Sequence, residues 1–431
     1  MSSTRAPGER PGTITTAQAA RLHALLAAID GRNPFYTRKL RDASVDVSNA
    51  DPSLLLERLP FTTKAELVAD QQANGPWGTA LTEPFASYVR YNQTSSTTGR
   101  PLRWLDTPAS WQWALECWKA VYAGARVTSD DRIFFPFSFG PFLGFWTAFD
   151  AGEQIGALCV PGGGMSSEQR IAMIDAVEAT VVCCTPTYAL RLAEVAESTR
   201  TGSGPHPFRS VRAVIVAGEP GGSVPAVRER IESRWETRVI DHYGLTEVGP
   251  VAFECWEAPG GLHVNEDEFI AEVLDAEGRA VPDGETGELV LTNLGRIASP
   301  VIRYRTGDIV RPRRTPCACG RRWLWLDGGI VSRADDMINV RGVNVYPAAI
   351  EALVRQFEEV VEFRTTVSTR GGMRALSVEI ELSTGEDDRI AAALMRRLRE
   401  SLSLAVPVRC VPPGTLPRFE MKARRFVRSE D

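Results

Sequence analysis

The spacing of apolar residues predicts helices near the N-terminus of the chain. Residues 14–30 place Leu, Ile and Ala at helical intervals, which predicts a first helix. Residues 61–67 are typical of a helix start, because threonine precedes Glu66 as in a capping box. An apolar-rich stretch over residues 111–123 predicts a longer helix.

The middle of the chain alternates short apolar runs with amphipathic stretches. The runs predict buried strands at residues 132–135, 154–160, 180–184 and 211–216. The stretches between and after them predict helices at residues 167–179, 187–199 and 224–235. This alternation favours an α/β fold with a parallel sheet covered by helices.

The pattern changes twice towards the C-terminus. From residue 269 to residue 310 the apolar runs are shorter and separated by Glu277-Gly278 and Asp283-Gly284, which indicates antiparallel β structure. From residue 333 onwards, helical stretches at 348–356 and 389–402 enclose strand-like runs at 360–367 and 375–382. We therefore expect a disordered tail (1–12), a large N-terminal domain of parallel sheets with a β-rich subdomain (13–332), and a small mobile α+β domain (333–431).

Composition limits the function further. At 431 residues the chain exceeds the size at which one core usually stops growing, which agrees with two domains. A net charge of −5 gives no reason to expect a nucleic acid. No apolar run approaches the roughly 20 residues needed to span a bilayer, and the first residues have no signal-peptide core. We expect a cytoplasmic protein without a membrane partner.

The most informative segment is a run of small hydroxyl residues that ends in glycine and a cation. It reads Thr94-Ser95-Ser96-Thr97-Thr98-Gly99-Arg100-Pro101. Hydroxyls and backbone N–H groups in such a loop suit a polyphosphate, with Arg100 as counter-charge. The alternative is a Ser/Thr-rich surface turn, and the segment lacks the Gly-Lys-Ser/Thr ending of a Walker A loop.

Further motifs decide between these alternatives. In chain order they are Ala217-Gly218-Glu219-Pro220, Asp241-His242-Tyr243-Gly244-Leu245-Thr246-Glu247, Arg303-Tyr304-Arg305-Thr306-Gly307-Asp308, the segment from Arg333 to Gly342, and Lys422 near the C-terminus. Their order and spacing resemble the adenylate-forming enzymes, the superfamily of acyl-CoA synthetases, peptide-synthetase adenylation domains and luciferases. The motif at residues 217–220 and Val343-Asn344-Val345-Tyr346-Pro347 look most like the phenylacetate–CoA ligase branch.

The resemblance implies a reaction and its cofactors. ATP and Mg²⁺ would activate a carboxylic acid as an acyl-adenylate with release of pyrophosphate, and CoA would then take the acyl group as a thioester. Alternatives are loading of a carrier protein, capture by another nucleophile, or a catalytically silent nucleotide-binding regulator. The silent form is suggested by Ser96 and Ser332, where the family usually has glycine, but the retained Glu247, Asp308, Arg333 and Lys422 argue against it.

The resemblance also implies roles for individual residues. Thr94 to Arg100 would hold phosphates, Tyr243 would lie against adenine, Thr246 would lie near the α-phosphate, and Glu247 would bind Mg²⁺. The nucleotide-binding set further includes Gly218, Glu219, Pro220, Asp241 and Gly244. Asp308 and Arg333 match the ribose contacts, since a carboxylate accepts two hydroxyl protons.

Four residues are implied in catalysis and in a change of domain orientation between its two steps. Lys422 would bridge the carboxylate and the α-phosphate during adenylation. Asp335 matches the hinge about which the small domain rotates, and that rotation would bring Arg341 and Gly342 to the site for the second step.

The acid pocket is predicted from an aromatic run. Phe137, Phe139 and Gly140 would line an apolar pocket for an aromatic acid, with plain core packing as the alternative. The resemblance adds Tyr188 and Gly218 as candidates to line this pocket. The expected partners are a small carboxylic acid, ATP and CoA or a carrier protein, and a homodimer is one expected assembly. Clustered arginines (311, 313, 314, 321, 322, 424, 425 and 428) offer either an anion site or a solvated face.

Cys255, His263, Cys317 and Cys319 form a second constellation. Three Cys and one His suit a closed, tetrahedral structural Zn²⁺ site. Similar sets occur in relatives of phenylacetate–CoA ligase, which supports zinc here. The alternative is a group of buried free thiols.

Overall fold

The structure is a computed structural model of the chain. It describes residues 14–47, 52–94, 101–199, 206–334, 338–340, 343–370, 373–383, 385, 387–402, 404–419 and 423–429.

Helices and strands alternate through the first half of the described chain. The helices there are α1 (Thr16–Ile29), α2 (Pro34–Asp42), α3 (Pro52–Arg58), α4 (Lys64–Ala73), α5 (Pro108–Gly124), α6 (Leu143–Gln154), α7 (Ser167–Ala176), α8 (Pro186–Thr199) and α9 (Pro225–Trp235). The strands there are β1 (Arg90–Gln93), β2 (Arg103–Asp106), β3 (Arg132–Phe135), β4 (Leu158–Pro161), β5 (Val181–Cys184), β6 (Ala213–Ala217) and β7 (Arg238–Leu245).

Strands dominate the second half of the described chain. They are β8 (Gly249–Cys255), β9 (Ala258–Val264), β10 (Phe269–Leu274), β11 (Gly287–Asn293), β12 (Tyr304–Arg313), β13 (Trp325–Arg333), β14 (Ile338–Val340), β15 (Val343–Val345), β16 (Val360–Arg370), β17 (Met373–Leu382), β18 (Val408–Val411) and β19 (Phe426–Ser429). Two helices accompany them, α10 (Pro347–Val354) and α11 (Asp388–Leu402).

One large sheet combines the predicted parallel and antiparallel parts. Its order is β10-β11-β12-β13-β9-β8-β7-β6-β5-β3-β4. Strands β4, β3, β5, β6 and β7 run parallel, and the pairs from β7 to β10 run antiparallel. This arrangement confirms the α/β fold class.

Local sequence explains several helix starts. Thr15 and Gln18 form a capping box at α1, and Thr63 and Glu66 form the predicted one at α4. Each box satisfies backbone N–H groups that have no partner within the helix.

The structure corrects the sequence prediction around β4. The run at 154–160 is not one strand, because α6 extends to Gln154 and β4 begins only at Leu158. Gly156 turns the chain between them with a φ of +87°, a conformation that favours glycine. Helix α6 itself was not predicted from the sequence.

Two sequence motifs lie inside strands rather than beside them. Strand β7 continues through Tyr243 to Leu245, so most of the motif at 241–247 belongs to this strand. Strand β12 starts at Tyr304, so Asp308 lies within this strand. Burial alternates along β12, which turns Tyr304, Thr306 and Asp308 into the interior.

The C-terminal part has its own sheet and core. The sheet has the order β18-β17-β16-β19, and its core includes Ile350, Val360, Ile380 and Leu394. Among the described residues, no helix has the length and apolar character needed to cross a membrane.

Candidate functional site

Thr94 closes the base of the hydroxyl-rich loop. It directly follows β1, which pairs with β2 in a small hairpin. The Thr94 amide donates to the Leu102 carbonyl, and the Thr94 hydroxyl accepts from the Leu102 amide, each at 3.0 Å. The buried Thr94 side chain therefore stabilises the hairpin. Ser95, Ser96, Thr97, Thr98, Gly99 and Arg100 lie outside the described residues, so their phosphate contacts stay a prediction.

Arg296 connects this hairpin to the segment of Thr246 and Glu247. Its Nε and Nη2 donate to the two carboxylate oxygens of Asp106, the last residue of β2, at 2.7 and 2.6 Å. Its Nη1 donates to the carbonyls of Thr246 at 2.7 Å and Glu247 at 3.3 Å. Sequence reasoning missed Arg296, whose one signal is a charge within the apolar run at 294–302.

Glu247 lies buried directly beyond the end of β7. Its Oε1 accepts a hydrogen bond from the Tyr304 hydroxyl at 3.2 Å and lies 3.3 Å from Lys64 Nζ. Burial and the neighbouring Glu247 carboxylate raise the pKa of Tyr304 well above its ordinary value, so the phenol remains a donor. Sequence reasoning assigned Lys64 only to the start of α4. The structure adds it as a cation beside the predicted Mg²⁺ ligand.

Tyr243, Asp308 and Arg333, the residues predicted for the nucleoside site, are in direct hydrogen-bonding contact. The Tyr243 hydroxyl donates to Asp308 Oδ2 at 2.5 Å, and Arg333 Nη1 donates to Asp308 Oδ1 at 3.0 Å. Asp308 and Arg333 are directly paired residues of β12 and β13. The register of these two strands therefore places the two predicted ribose contacts side by side.

Asp241 is packed beneath the loop that follows β6. Ser223 Oγ donates to Asp241 Oδ2 at 2.5 Å. A Cβ added to Gly222 would overlap the Asp241 carboxyl group, so a side chain at 222 would displace it. Burial raises the pKa of Asp241 to about 6. On the same strand, Gly244 is exposed and lies opposite Pro250 of β8, close to the turn that joins the two strands.

Both carboxylate oxygens of Glu219 accept hydrogen bonds from backbone amides of the protein. Gly218 and Pro220 are exposed on either side of it, and Gly218 has a φ of +94° that turns the chain after β6. Glu219 Oε1 accepts from the Thr187 amide at 2.9 Å, and Oε2 accepts from the Ala423 amide at 2.8 Å. Thr187 was not among the predicted site residues.

The predicted pocket aromatics form a packed cluster. Phe137 stacks on Phe145 with ring centroids 4.0 Å apart, and Phe139 lies 4.7 Å from Trp146. The carbonyl of Gly140 accepts from Trp146 Nε1 at 2.9 Å. These contacts bring the predicted residues together at the start of α6, and their role towards an acid stays a prediction.

Tyr188 lies in a different cluster from these rings. It is 1% exposed and packs in the helix layer over β5 and β6. Its hydroxyl lies 3.1 Å from Ser167 Oγ and accepts a hydrogen bond from Arg170. Its assignment to the acid pocket stays a prediction.

Asp335, Arg341, Gly342 and Lys422 lie outside the described residues. Their predicted roles in the hinge, the second step and adenylation therefore remain predictions. The described neighbour Ala423, which follows Lys422, is held by Glu219.

The four predicted zinc ligands converge in the structure. Cys255 ends β8, His263 lies in β9, and Cys317 and Cys319 lie in the turn between β12 and β13. Their ligand atoms all lie within 4.8 Å of one another. Cys255 Sγ lies 3.6 Å from Cys317 Sγ, and Cys319 Sγ lies 3.5 Å from His263 Nε2. Two thiolates on one tetrahedral Zn²⁺ lie about 3.8 Å apart, so this spacing fits the ion.

The protonation of His263 also suits a metal ligand. Burial and the nearby Arg321 lower the pKa of His263 to about 4, so its imidazole is neutral at pH 7 and has a free lone pair. The ring packs edge-on against Trp325, with centroids 4.7 Å apart. The predicted juxtaposition is confirmed.

Known proteins resemble this chain in sequence and in structure. It is 31% identical to the phenylacetate-coenzyme A ligase of Thermus thermophilus, over 94% of this chain and 93% of that protein. Its structure matches 2-hydroxyisobutyryl-CoA ligase in the postadenylation state, with a TM-score of 0.89, 26% identity, and coverage of 99% of this chain and 94% of the other. The same enzyme in the thioesterification state gives a TM-score of 0.71 at 28% identity, covering 96% and 89%.

Sequence profiles assign both parts of the chain. The profile of the AMP-binding enzymes matches residues 17–295, and that of the AMP-binding enzyme C-terminal domain matches residues 342–429. Together with the near full-length similarity to a phenylacetate-coenzyme A ligase, these matches show that the chain belongs to the AMP-binding enzyme family, the adenylate-forming superfamily.

Proposed function

We propose that this protein is an AMP-forming acid–CoA ligase. The observation that carries the proposal is the contact of Tyr243 and Arg333 with the same carboxylate of Asp308, a set that offers the hydrogen-bonding groups of a nucleoside site. The identity of 31% with a phenylacetate-coenzyme A ligase supports the same reaction. An oxygen of the acid attacks the α-phosphorus of ATP and pyrophosphate leaves. The sulfur of CoA then attacks the acyl carbon and AMP leaves.

The described residues support binding and orientation of ATP. Asp308 would accept the ribose hydroxyls, and Arg333 would hold the Asp308 carboxylate in position. Tyr243 would present its ring to adenine while its hydroxyl remains on Asp308. Thr246, whose carbonyl is fixed by Arg296, would contact the α-phosphate. Lys422 would stabilise the negative charge that develops there.

Glu247 fits a magnesium ligand. It is a single buried carboxylate, and Mg²⁺ usually takes one or two carboxylates together with phosphate oxygens and water. The ion would neutralise charge on the phosphates. Lys64, 3.3 Å from Glu247, supplies a second positive charge on the same side.

The substrate is inferred to be an aromatic acid. The cluster of Phe137, Phe139 and Phe145 offers flat apolar surfaces next to the β1–β2 hairpin, whose Gln93 amide donates to the Pro141 carbonyl at 2.7 Å. CoA is the proposed acceptor, with a carrier protein as the alternative.

We also propose a structural Zn²⁺ held by Cys255, His263, Cys317 and Cys319. The ion would fix the turn after β12 to strands β8 and β9, because its four ligands come from these three places. No ligand position would remain open for catalysis.

Acid-dependent ATP–pyrophosphate exchange tests the main proposal. The panel would contain benzoate, phenylacetate, cinnamate, a fatty acid and amino acids, with Lys422→Ala as the inactive control. Exchange with an aromatic acid, followed by thioester formation when CoA is added, is expected. Exchange without thioester formation would favour a carrier protein. Absence of exchange while ATP still binds would favour an acid outside the panel or the catalytically silent regulator.

A further inference from the structure

Glu219 bridges two distant parts of the chain with one carboxylate. Its Oε1 accepts from the Thr187 amide, and its Oε2 accepts from the Ala423 amide. Thr187 lies in the first turn of α8, whereas Ala423 directly follows Lys422 in the sequence. The carboxylate thus joins the helix layer of the large sheet to the segment that continues from the proposed catalytic lysine.

The large-sheet side of this bridge is fixed by close packing. A Cβ on Gly221 would stand 2.5 Å from Pro186 Cβ, so the loop after β6 touches the start of α8 at a distance that glycine permits. The Thr187 amide is among the first N–H groups of α8, which have no partner inside the helix. The helix dipole also favours a carboxylate there. The packed large-sheet side therefore supplies a fixed donor that orients the Glu219 carboxylate.

Arg425 makes a second connection between the same parts. Its Nη1 donates to Thr187 Oγ1 at 3.2 Å, and its Nε donates to Glu362 Oε1 at 2.5 Å. Its Nη1 also lies 3.2 Å from Glu351 Oε1. The acidic partners belong to α10 and β16, so most contacts of Arg425 stay within the C-terminal part. Arg425 makes one contact with the large-sheet side, at Thr187. The amide of Ala423 makes the other connection, to Glu219.

We propose that Glu219 is a positioning residue that holds Ala423, the residue after Lys422, for adenylation and releases it for thioester formation. The catalytic half of this inference rests on the proposed function. The described arrangement is nearer to the relative's postadenylation state than to its thioesterification state, with TM-scores of 0.89 and 0.71. The bond from Glu219 to Ala423 connects the two parts whose relative placement would change between those states.

Substitution by glutamine isolates this role. Glutamine has the same length as glutamate, but only its carbonyl oxygen accepts, and its NH₂ group would face an N–H group. Glu219→Gln therefore cannot serve both Thr187 and Ala423. Glu219→Asp keeps the charge and shortens the reach by one methylene. Glu229→Gln, on the exposed face of α9, is the matched control.

Amide hydrogen exchange tests the bridge without any substrate. In the full-length protein, peptides covering residues 423–429 should exchange about tenfold faster in Glu219→Gln than in the wild type, with unchanged exchange in the core of the large sheet. Glu219→Asp should show the same faster exchange in these peptides. It serves as the test if the glutamine variant fails to fold. Equal exchange in wild type and variant would overturn the proposal, whatever reaction the protein performs.

The two half-reactions test the consequence for catalysis. With phenylacetate as the probe, Glu219→Gln should slow adenylate formation about 10- to 100-fold, as expected for a misplaced catalytic group. Thioester formation from synthetic phenylacetyl-adenylate and CoA should fall by less than about threefold, because a positioning effect is confined to the first step. Equal losses in both half-reactions, or losses equal to those of Glu229→Gln, would overturn it. If the wild type does not use phenylacetate, hydrogen exchange alone decides.

Discussion

Asp106 and Arg296 form an ion pair in which both side chains are fully buried, with Nη2 and Oδ2 2.6 Å apart. Asp106 ends the hairpin that carries the hydroxyl-rich loop, and Arg296 binds the carbonyls of Thr246 and Glu247. One guanidinium thus connects the end of β2 to the segment that contains the proposed Mg²⁺ ligand. The pair lies in the interior, where a charge needs a complete set of partners.

Removing the charge of Asp106 should destabilise the folded protein. Asp106→Asn leaves the guanidinium buried without its counter-charge, so we expect the free energy of unfolding to fall by about 3–5 kcal/mol. Urea unfolding followed by circular dichroism measures this. Glu83→Gln breaks the exposed pair with Arg32 and should cost less than about 1 kcal/mol. A loss for Asp106→Asn as small as that of the control would contradict the interpretation.

Sequence motifs predicted several groups of residues that the fold brings together. The motif at 303–308 and the residue at 333 predicted the nucleoside site, and the β12–β13 register brings Asp308 and Arg333 together. The Cys/His set was predicted equally well, although its members span residues 255 to 319. In both cases the prediction was possible because few functions combine these residue types in this order.

Long-range charge pairs could not be predicted in this way. Arg296 pairs with Asp106, which lies 190 positions away in the sequence. Arg425 pairs with Glu362, which lies 63 positions away. The sequence offered Arg425 as part of an anion site or a solvated face, and it is neither, since its side chain is 6% exposed and paired with two glutamates. An arginine shows the same local pattern in either environment, because only the folded chain determines its partner.

Loss of the Asp308 carboxylate should weaken ATP binding. Asp308→Ala removes the acceptor shared by Tyr243 and Arg333, so we expect the KM for ATP to rise about 10- to 100-fold, as for the loss of hydrogen bonds to a charged group. Steady-state kinetics with varied ATP measures it. Tyr243→Phe keeps the ring and should have a smaller effect. Asp275→Asn, in the turn after β10, should leave KM unchanged, and an equal change there would count against the assignment.

The Cys/His cluster should contain one zinc ion per chain. Cys317→Ser replaces a thiolate ligand by a poor one, so zinc content measured by elemental analysis should fall below about half an ion per chain, and the Tm should fall by about 5 °C or more. Cys410→Ser, at a thiol of the C-terminal sheet, should change neither quantity. Wild-type protein without zinc after purification in zinc-containing medium would refute the site.

The buried carboxyl of Asp241 should make stability depend on pH. Burial raises its pKa from 3.8 to about 6 in the folded protein. The folded state then binds more protons than the unfolded state between these values, so this carboxyl lowers stability as pH rises from about 4 to about 6. The shift corresponds to a loss of about 3 kcal/mol. Asp241→Asn should lack this loss, which urea unfolding at pH 4, 5, 6 and 7 would measure. Asp130→Asn, at an exposed site, should retain the wild-type slope, and an equal slope in Asp241→Asn would contradict the assignment.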